Sequence, residues 1–94
     1  LSCDYYPLTE TDADAHDWYA MQFDGEREGF VQVIRNTLVE DDTATFSLYI
    51  EDGAVYTFTD EDGNTCQKTA DALREGFTVT LPRRTGRIWF YTKG

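Results

Sequence analysis

Carboxylates are the most abundant reactive side chains of this 94-residue chain, which has 18 Asp and Glu residues. General acid-base catalysis needs a carboxyl group whose pKa is raised by burial or by a second carboxylate held close to it. The closest sequence pairs all fall in turns that we predict to be solvated: Asp12 with Asp14, Asp41 with Asp42, and Asp60 with Asp62. We therefore predict no catalytic residue in this chain.

The sequence also offers few residues that could bind a metal ion or a cofactor. His16 is the single histidine, and one imidazole without a second nitrogen or thiolate ligand makes a poor transition-metal site. The run Asp60-Glu-Asp-Gly-Asn64 resembles a calcium loop, but it lacks the Asp-x-Asp-x-Asp-Gly spacing and the bidentate Glu at the twelfth loop position. We predict a turn there, no metal site and no cofactor.

Two cysteines, Cys3 and Cys66, lie far apart in the sequence and form no CxxC pair. Unpaired cysteine is commonly buried, so we expect free and partly buried thiols. A Cys3–Cys66 disulfide is the alternative if the first strand passes the turn at 60–65, and it would indicate an oxidising compartment.

Aromatic side chains near the C-terminal end are the best candidates for contact with another molecule. Trp89 and Tyr91 alternate with Ile88 and Phe90, and we predict that Ile88 and Phe90 face the core while Trp89 and Tyr91 face outwards. Outward rings either pack on a second protein surface or stack on a sugar, and the first of these is favoured. We expect Trp18 in the core.

Composition limits the class of protein and its partners. The chain is 40% hydrophobic and 15% aromatic, which suffices for a core, and its formal net charge is −10. That charge opposes binding to nucleic acid and to anionic membranes, and no apolar stretch approaches the roughly 20 residues of a membrane-spanning helix. With no repeat or linker, residues 1–94 form one domain, and because the chain begins at Leu1 we expect an excised piece of a longer protein.

Short strand-like runs separated by polar or Gly-containing turns recur about every ten residues, which indicates an all-β fold. We predict an antiparallel two-sheet β-sandwich of about seven or eight strands with a Greek-key-like order. Strands are predicted at 3–6, 18–23, 29–35, 43–50, 54–59, 65–68, 77–81 and 87–91. Thr69 can cap one short helical turn near 69–75 and Gly76 can end it. The strand at 29–35 is apolar on both faces, so we expect it in the centre of a sheet.

A family resemblance extends over almost the whole chain. Its elements are Asp4-Tyr-Tyr-Pro-Leu8, Trp18 and Gln22-Phe23 on one strand, Gly29-Phe-Val-Gln-Val-Ile-Arg35 on the next, and then Tyr56, Asp60, Leu73 and Gly76-Phe-Thr-Val-Thr-Leu-Pro82. In this order they resemble the C-terminal β-sandwich domain of α-galactosidases of glycoside hydrolase family 36. In that family a preceding (β/α)8 barrel carries both catalytic aspartates, and no position here matches the barrel motifs.

The resemblance implies a non-catalytic accessory domain that packs on and stabilises the catalytic barrel of the same parent chain, an enzyme acting on α-galactosides. The excised domain would expose its apolar interdomain surface, so we expect self-association. The alternative is a carbohydrate-binding module that recognises galactoside-type glycans through Trp89 and Tyr91. We expect a cytoplasmic location.

Overall fold

The computed structural model describes residues 4–8, 18–36, 38–82 and 84–94. Within these ranges the chain forms eight β-strands and one short helix. They are β1 (Asp4–Pro7), β2 (Trp18–Asp24), β3 (Glu28–Arg35), β4 (Thr43–Phe46), β5 (Val55–Asp60), β6 (Thr65–Thr69), α1 (Ala70–Arg74), β7 (Phe77–Thr80) and β8 (Thr85–Lys93).

The strands form two antiparallel sheets. The larger sheet has six strands in the order β1-β2-β3-β8-β5-β6, and the smaller one pairs β4 with β7. The predicted all-β, two-sheet antiparallel sandwich with one short helix is thus confirmed. Strand β8 comes last in the chain but lies between β3 and β5, so β3 is an interior strand, as its two apolar faces indicate.

The β2–β3 hairpin forms where the sequence predicts it. Trp18 lies opposite Arg35 at the open end and Asp24 lies opposite Gly29 at the closed end. The Gly25 N–H donates to the Glu28 carbonyl at 2.8 Å and closes the turn. This register places alternate residues of both strands on the same face of the sheet.

The core lies between the two sheets. Val31 and Val33 of β3 are fully buried, and the rings of Tyr56 and Phe58 from β5 lie beside them. The smaller sheet covers them with one apolar row, and the loops and helix add two leucines: Phe46, Phe77, Val79, Leu73 and Leu81. Each of these buried apolar side chains contributes about 1.5 to 3 kcal/mol relative to an exposed one.

Helix α1 is one short turn with defined ends. The Thr69 Oγ1 accepts a hydrogen bond from the Ala72 N–H at 3.2 Å, which is the predicted N-cap. Gly76 has φ of 127°, a conformation that favours glycine, and it ends the helix as predicted. Leu73 is 1% exposed and fixes the helix to the core.

Strand β8 corrects the predicted assignment of its two faces. Tyr91 is 2% exposed and Trp89 packs against the core, whereas Phe90 is 53% exposed. The prediction that Trp89 and Tyr91 face outwards and Ile88 and Phe90 inwards is therefore wrong. Both alternating sets are apolar, so the face is decided by the neighbouring strand, where Trp89 lies opposite the buried Val31.

Two other expectations are refined. Strand β4 ends at Phe46 instead of continuing to residue 50, although Leu48 and Ile50 still pack against the core. Trp18 is partly buried and packs against the core, with its ring 6.2 Å from that of Phe46.

Candidate functional site

Four aromatic side chains form a row across the outer face of the six-stranded sheet. Tyr5, Phe23, Phe30 and Phe90 lie directly opposite one another on β1, β2, β3 and β8. The centroids of neighbouring rings are 5.1, 4.8 and 5.9 Å apart. We call these four residues the aromatic row.

The two ends of the aromatic row are open to solvent. Tyr5 is 45% exposed and Phe90 is 53% exposed. The strand register places further uncharged side chains on the same face, among them Met21, Ile34, Ile88 and Thr59. Glu28 is the one charged residue among the described strand positions of this face. A nearly charge-free surface therefore covers one side of a strongly acidic domain.

A shallow cleft of about 360 Å³ lies beside the Phe90 end of the aromatic row. Its lining includes the aromatic residues Phe30 and Phe90, the threonines Thr57, Thr59 and Thr92, and Glu28. The cleft thus combines aromatic rings with threonine hydroxyl groups. It can accept an apolar side chain of a second protein whose neighbouring polar groups bond to the threonines.

The ring orientations limit what the aromatic row can bind. The rings of Phe23 and Phe30 are inclined by only 20° and stack on each other. Each ring therefore covers a face of the other, and a sugar that stacks on aromatic rings needs a free face. The row presents mainly ring edges and the outer surfaces of its terminal residues.

A buried polar network lies on the inner face beneath the row. The Tyr91 hydroxyl donates a short hydrogen bond to Asp24 Oδ1, and the Gln22 Nε2 donates to the Tyr91 oxygen at 3.0 Å. Gln22 also donates to the Tyr49 carbonyl at 2.9 Å and accepts from the Tyr49 N–H at 2.7 Å. The network joins β2 and β8 to the segment that follows β4.

Lys93 completes this network. Its Nζ lies 3.0 Å from Asp24 Oδ2, 2.9 Å from the Gly25 carbonyl and 3.5 Å from Glu51 Oε2. Burial alone would lower the pKa of Lys93, but the hydrogen bond and the charge of Asp24 raise it above its ordinary value. Burial and the hydrogen bond to Asp24 raise the pKa of Tyr91 strongly. Both groups thus keep their protons at neutral pH.

This arrangement suits a structural role. The Asp24 carboxylate is 8% exposed and accepts bonds from Tyr91 and Lys93. A cleft of about 340 Å³ opens beside it, but within it Tyr6 and Tyr49 stack on each other at 4.4 Å. Both oxygens of the Asp24 carboxylate are thus engaged, one by the Tyr91 hydroxyl and the other by the Lys93 ammonium.

Arg35 is a second buried polar side chain, 4% exposed at the end of β3. Its Nη1 donates to the Leu81 carbonyl at 2.7 Å, and its Nη2 donates to the carbonyls of Val39 and Glu40 at 2.9 and 3.0 Å. The guanidinium therefore ties the β3–β4 connection to the end of β7 and satisfies carbonyls that would otherwise be buried without a donor.

The turn at 60–64 is held by Asp60. Its Oδ1 accepts from the Asp62 N–H at 2.9 Å and from the Asn64 N–H at 3.0 Å, and its Oδ2 lies 3.5 Å from Arg87 Nη1. Burial alone would raise the pKa of the Asp60 carboxyl, but the hydrogen bonds and the Arg87 charge lower it below its ordinary value. The predicted turn is confirmed.

Another cleft, of about 510 Å³, lies where β3 ends and β8 begins, and Arg84 and Arg87 line it. Arg87 is paired with Asp60 and Asp62, and the Glu61 side chain, which also lines the cleft, accepts from the Ile88 N–H at 2.8 Å. The charge of Arg87 is thus balanced by the acidic residues of the turn at 60–64.

The remaining sequence candidates do not assemble. Asp41 and Asp42 are exposed, while Cys3, Asp12, Asp14 and His16 lie outside the described residues. In the parts of the chain that the structure describes, no three side chains of His, Cys, Asp or Glu are grouped to hold a metal ion. Cys66 is a free, exposed thiol on β6, not the partly buried one that we expected.

Sequence reasoning missed the residues that form the open surface. Tyr91 was chosen for an outward role that its 2% exposure rules out, and Phe90 was assigned to the core. The cross-strand alignment of Tyr5 with Phe23 and Phe30 carries no local signal in the sequence. In the structure, a side chain at Gly29 would meet the hydroxyl group of Tyr91, a contact between β3 and β8 that the sequence alone does not reveal.

No family model, no curated protein and no solved structure matches this chain. Among the described residues, the helix is far too short and polar to cross a membrane. The aromatic row, the cleft beside it and the buried network of Asp24, Tyr91 and Lys93 are therefore the features on which a functional assignment depends.

Proposed function

We propose that this chain is a non-catalytic accessory domain that docks through its aromatic row on the (β/α)8 catalytic barrel of an α-galactosidase-like glycoside hydrolase. The observation that carries the proposal is the outer face of the six-stranded sheet, which is aromatic, open at Tyr5 and Phe90, and nearly free of charge.

Charge distribution supports docking on protein. The chain has a net charge of −10, yet Glu28 is the one charged residue among the described strand positions of this face. The centres of protein interfaces are depleted of charged residues and enriched in aromatic ones. Contiguous apolar surface on a soluble domain commonly marks such an interface.

The inner polar groups support a role without turnover. Asp24 is the buried carboxylate of the described chain, and its oxygens are held by Tyr91 and Lys93. A general acid needs a proton that it can release near neutral pH. The bonds around Asp24 and Gln22 instead stabilise the sandwich, because they join its second and eighth strands to the segment after β4.

The choice of partner depends on the sequence resemblance. The order from Asp4-Tyr-Tyr-Pro-Leu8 through Gly29 to Arg35 and on to Pro82 resembles the domain that follows the barrel in family 36. A sandwich of two antiparallel sheets is the fold that this resemblance implies. An α-galactoside substrate for the parent enzyme and a cytoplasmic location belong to the same proposal.

A second candidate is a carbohydrate-binding module. It is favoured by one observation, the cleft whose lining combines Phe90 with the hydroxyl-bearing Thr57, Thr59 and Thr92. The platform originally expected at Trp89 and Tyr91 is not available, since Tyr91 is buried. The stacking of Phe23 on Phe30 leaves few free ring faces, so protein docking is the stronger proposal.

The first test is to determine what is encoded upstream of Leu1 in the same reading frame. A (β/α)8 barrel with two catalytic aspartates is the expected result. A start codon at this point, or an unrelated module, would contradict the accessory-domain proposal.

The second test examines the docking face in that full chain. Phe90→Ser should lower the unfolding temperature of the barrel by several degrees, because it removes apolar contact at the interface. Thr78→Ser on the exposed face of β7 is the matched control and should leave that temperature unchanged. Equal unfolding temperatures for both variants would contradict docking through the row. Saturable quenching of tryptophan fluorescence by melibiose or raffinose, abolished by Phe90→Ser, would instead support sugar binding.

A further inference from the structure

Strand β6 is an open edge of the six-stranded sheet. All five of its residues, Thr65–Thr69, are exposed, and it pairs with β5 along one side. Among the described residues, no strand lies along its other side. We propose that this edge pairs antiparallel with the same edge of a second copy of the chain, which joins two six-stranded sheets into one continuous sheet.

Hydrogen bonds at both ends of the β5–β6 hairpin establish which residues bond across it. The Ala70 N–H donates to the Ala54 carbonyl at 3.2 Å, and the Asp60 N–H donates to the Asn64 carbonyl at 3.0 Å. Each of these two pairs continues the register of the strands and joins directly opposite residues. In an antiparallel ladder such hydrogen-bonded pairs alternate with pairs that do not bond each other.

The alternation determines which backbone groups of β6 point away from β5; of these, the Gln67 carbonyl also accepts a weak contact from the Cys66 Sγ atom at 3.9 Å. Cys66 and Lys68 fall on the bonded positions and use their backbone groups on β5. The N–H and carbonyl groups of Thr65 and Gln67, and the N–H of Thr69, therefore point away from the sheet. The opposite side of β5 follows the same alternation, since Val55 exchanges bonds of 3.2 and 2.8 Å with Gly94 next to β8.

These free groups are self-complementary. Thr65 and Thr69 are equally spaced on either side of Gln67, so a twofold axis at Gln67 places Gln67 opposite its copy and Thr65 opposite Thr69 of the second chain. Gln67 then exchanges both of its backbone bonds with its copy, and the Thr69 N–H reaches the Thr65 carbonyl. This is an isologous contact, the type formed in most closed dimers.

The self-complementary backbone groups favour a second copy as the occupant, and the charge on β6 is compatible with it. Lys68 is the one charged residue of β6, and in this register it lies opposite Cys66 of the second chain instead of opposite its own copy. The strand thus brings two chains of net charge −10 together along a segment that carries no acidic residue. The other edge of the sheet ends at Pro7 of β1, which has no N–H to donate. The continuous register of β6, without a bulge or proline, leaves its edge open to pairing.

Analytical ultracentrifugation of the 94-residue chain over a range of concentrations tests the proposal. Gln67→Pro removes an N–H that points away from β5, and an edge strand tolerates proline at such a position. We expect this variant to weaken dimerisation by about tenfold or more while its unfolding temperature stays close to that of the parent chain. Gln67→Thr is the matched control, because it changes the side chain, keeps the N–H and should keep the dimer.

A second measurement holds even if Gln67→Pro folds poorly. In a Cys3→Ser background, the Cα atoms of the two Cys66 residues would lie about 8 Å apart, from a strand spacing of about 4.8 Å and a rise of about 3.4 Å per residue. A short bis-maleimide should then join two chains at concentrations where dimer is present. A chain that is monomeric at all concentrations, or a dimer that persists in Gln67→Pro and yields no cross-link at Cys66, would overturn the proposal. Loss of the dimer in Phe90→Ser but not in Gln67→Pro would overturn it in favour of the aromatic row.

Discussion

At the residue scale, the buried network around Asp24 joins a carboxylate, a tyrosine hydroxyl and an ammonium group. Tyr91 and Lys93 both donate to this carboxylate, and both have a pKa above the ordinary value. A raised pKa means that the folded state holds the proton more tightly than the unfolded state does. The network is therefore a source of stability that depends on pH in the alkaline range.

The first prediction concerns this dependence. Below the ordinary tyrosine pKa of 10.0, Tyr91 is protonated in both states and its contribution to stability is complete. Above it, the unfolded state loses the proton first, so the free energy of unfolding falls by up to about 1.4 kcal/mol per pH unit for this group. Urea unfolding of the parent chain and of Tyr91→Phe between pH 8 and 11 measures the effect.

Tyr91→Phe should show a shallower loss of stability above pH 10, because the titrating group is gone. It should also be less stable at pH 8, by about 1 to 3 kcal/mol, because the buried Asp24 carboxylate loses a donor. Two curves with the same alkaline slope would contradict the role assigned to Tyr91.

At the element scale, the β2–β3 hairpin depends on Gly29. A Cβ atom at this position would meet the Phe23 carbonyl oxygen and the hydroxyl end of the Tyr91 ring. The carbonyl belongs to the neighbouring strand and cannot move aside. Gly29 is not among the glycines with positive φ, so the requirement for glycine here is steric. Strand β3 approaches the Tyr91 hydroxyl too closely to leave room for a Cβ atom.

We predict that Gly29→Ala lowers the free energy of unfolding by about 1 to 3 kcal/mol, as overpacking of a filled core does. Gly86→Ala is the matched control on β8. Its nearest neighbour is the Ile34 Cγ1 atom at 3.2 Å, a side-chain atom that can shift, so the change should be close to neutral. Denaturant unfolding of both variants gives the comparison, and equal losses would contradict the steric argument.

The elements also show what the sequence can and cannot predict. In Phe77-Thr-Val-Thr-Leu81, and in the strand that contains Tyr56, apolar residues alternate with threonines, and the apolar set is the buried one. Strand β8 is apolar on both faces, so alternation alone did not show which set faces the core. The face followed from the strand order, in which β8 lies between β3 and β5, and that order is a long-range property.

The outward orientation predicted for Trp89 and Tyr91 was wrong for the same reason. Trp89 and Tyr91 were chosen by local pattern, whereas the aromatic row unites residues from four strands that span the chain from Tyr5 to Phe90. The capping residue Thr69 and the turn at Asp60 were predictable, since a cap and a turn depend on residues within a few positions of each other.

At the scale of the whole molecule, charge opposes compactness. Eighteen acidic residues and eight basic ones give the net charge of −10. The described ion pairs lie mostly at the surface and include Arg74 with Asp71 and Arg87 with Asp62. Such pairs contribute little, so the unpaired acidic excess destabilises the folded chain at low ionic strength.

We predict that raising potassium chloride from about 10 mM to about 500 mM increases the unfolding temperature by several degrees, because screening shortens the reach of charge repulsion from about 30 Å to a few Å. Differential scanning calorimetry at pH 7 measures the change. Sodium chloride is the control and should act equally, since screening depends on ionic strength. A decrease with either salt would show that attractive pairs outweigh the repulsion.

The position of β8 has a consequence for how the domain is made. Seven of the described strands precede it along the chain, and β8 is the strand that joins the hairpins β2–β3 and β5–β6 in the described sheet. Almost the whole domain is therefore synthesised before the large sheet can form. Until then the edges of β3 and β5 that pair with β8 stay unpaired in the nascent chain. We therefore expect the large sheet to form late, once β8 is available, and the unpaired edges to be prone to pairing with other chains until then.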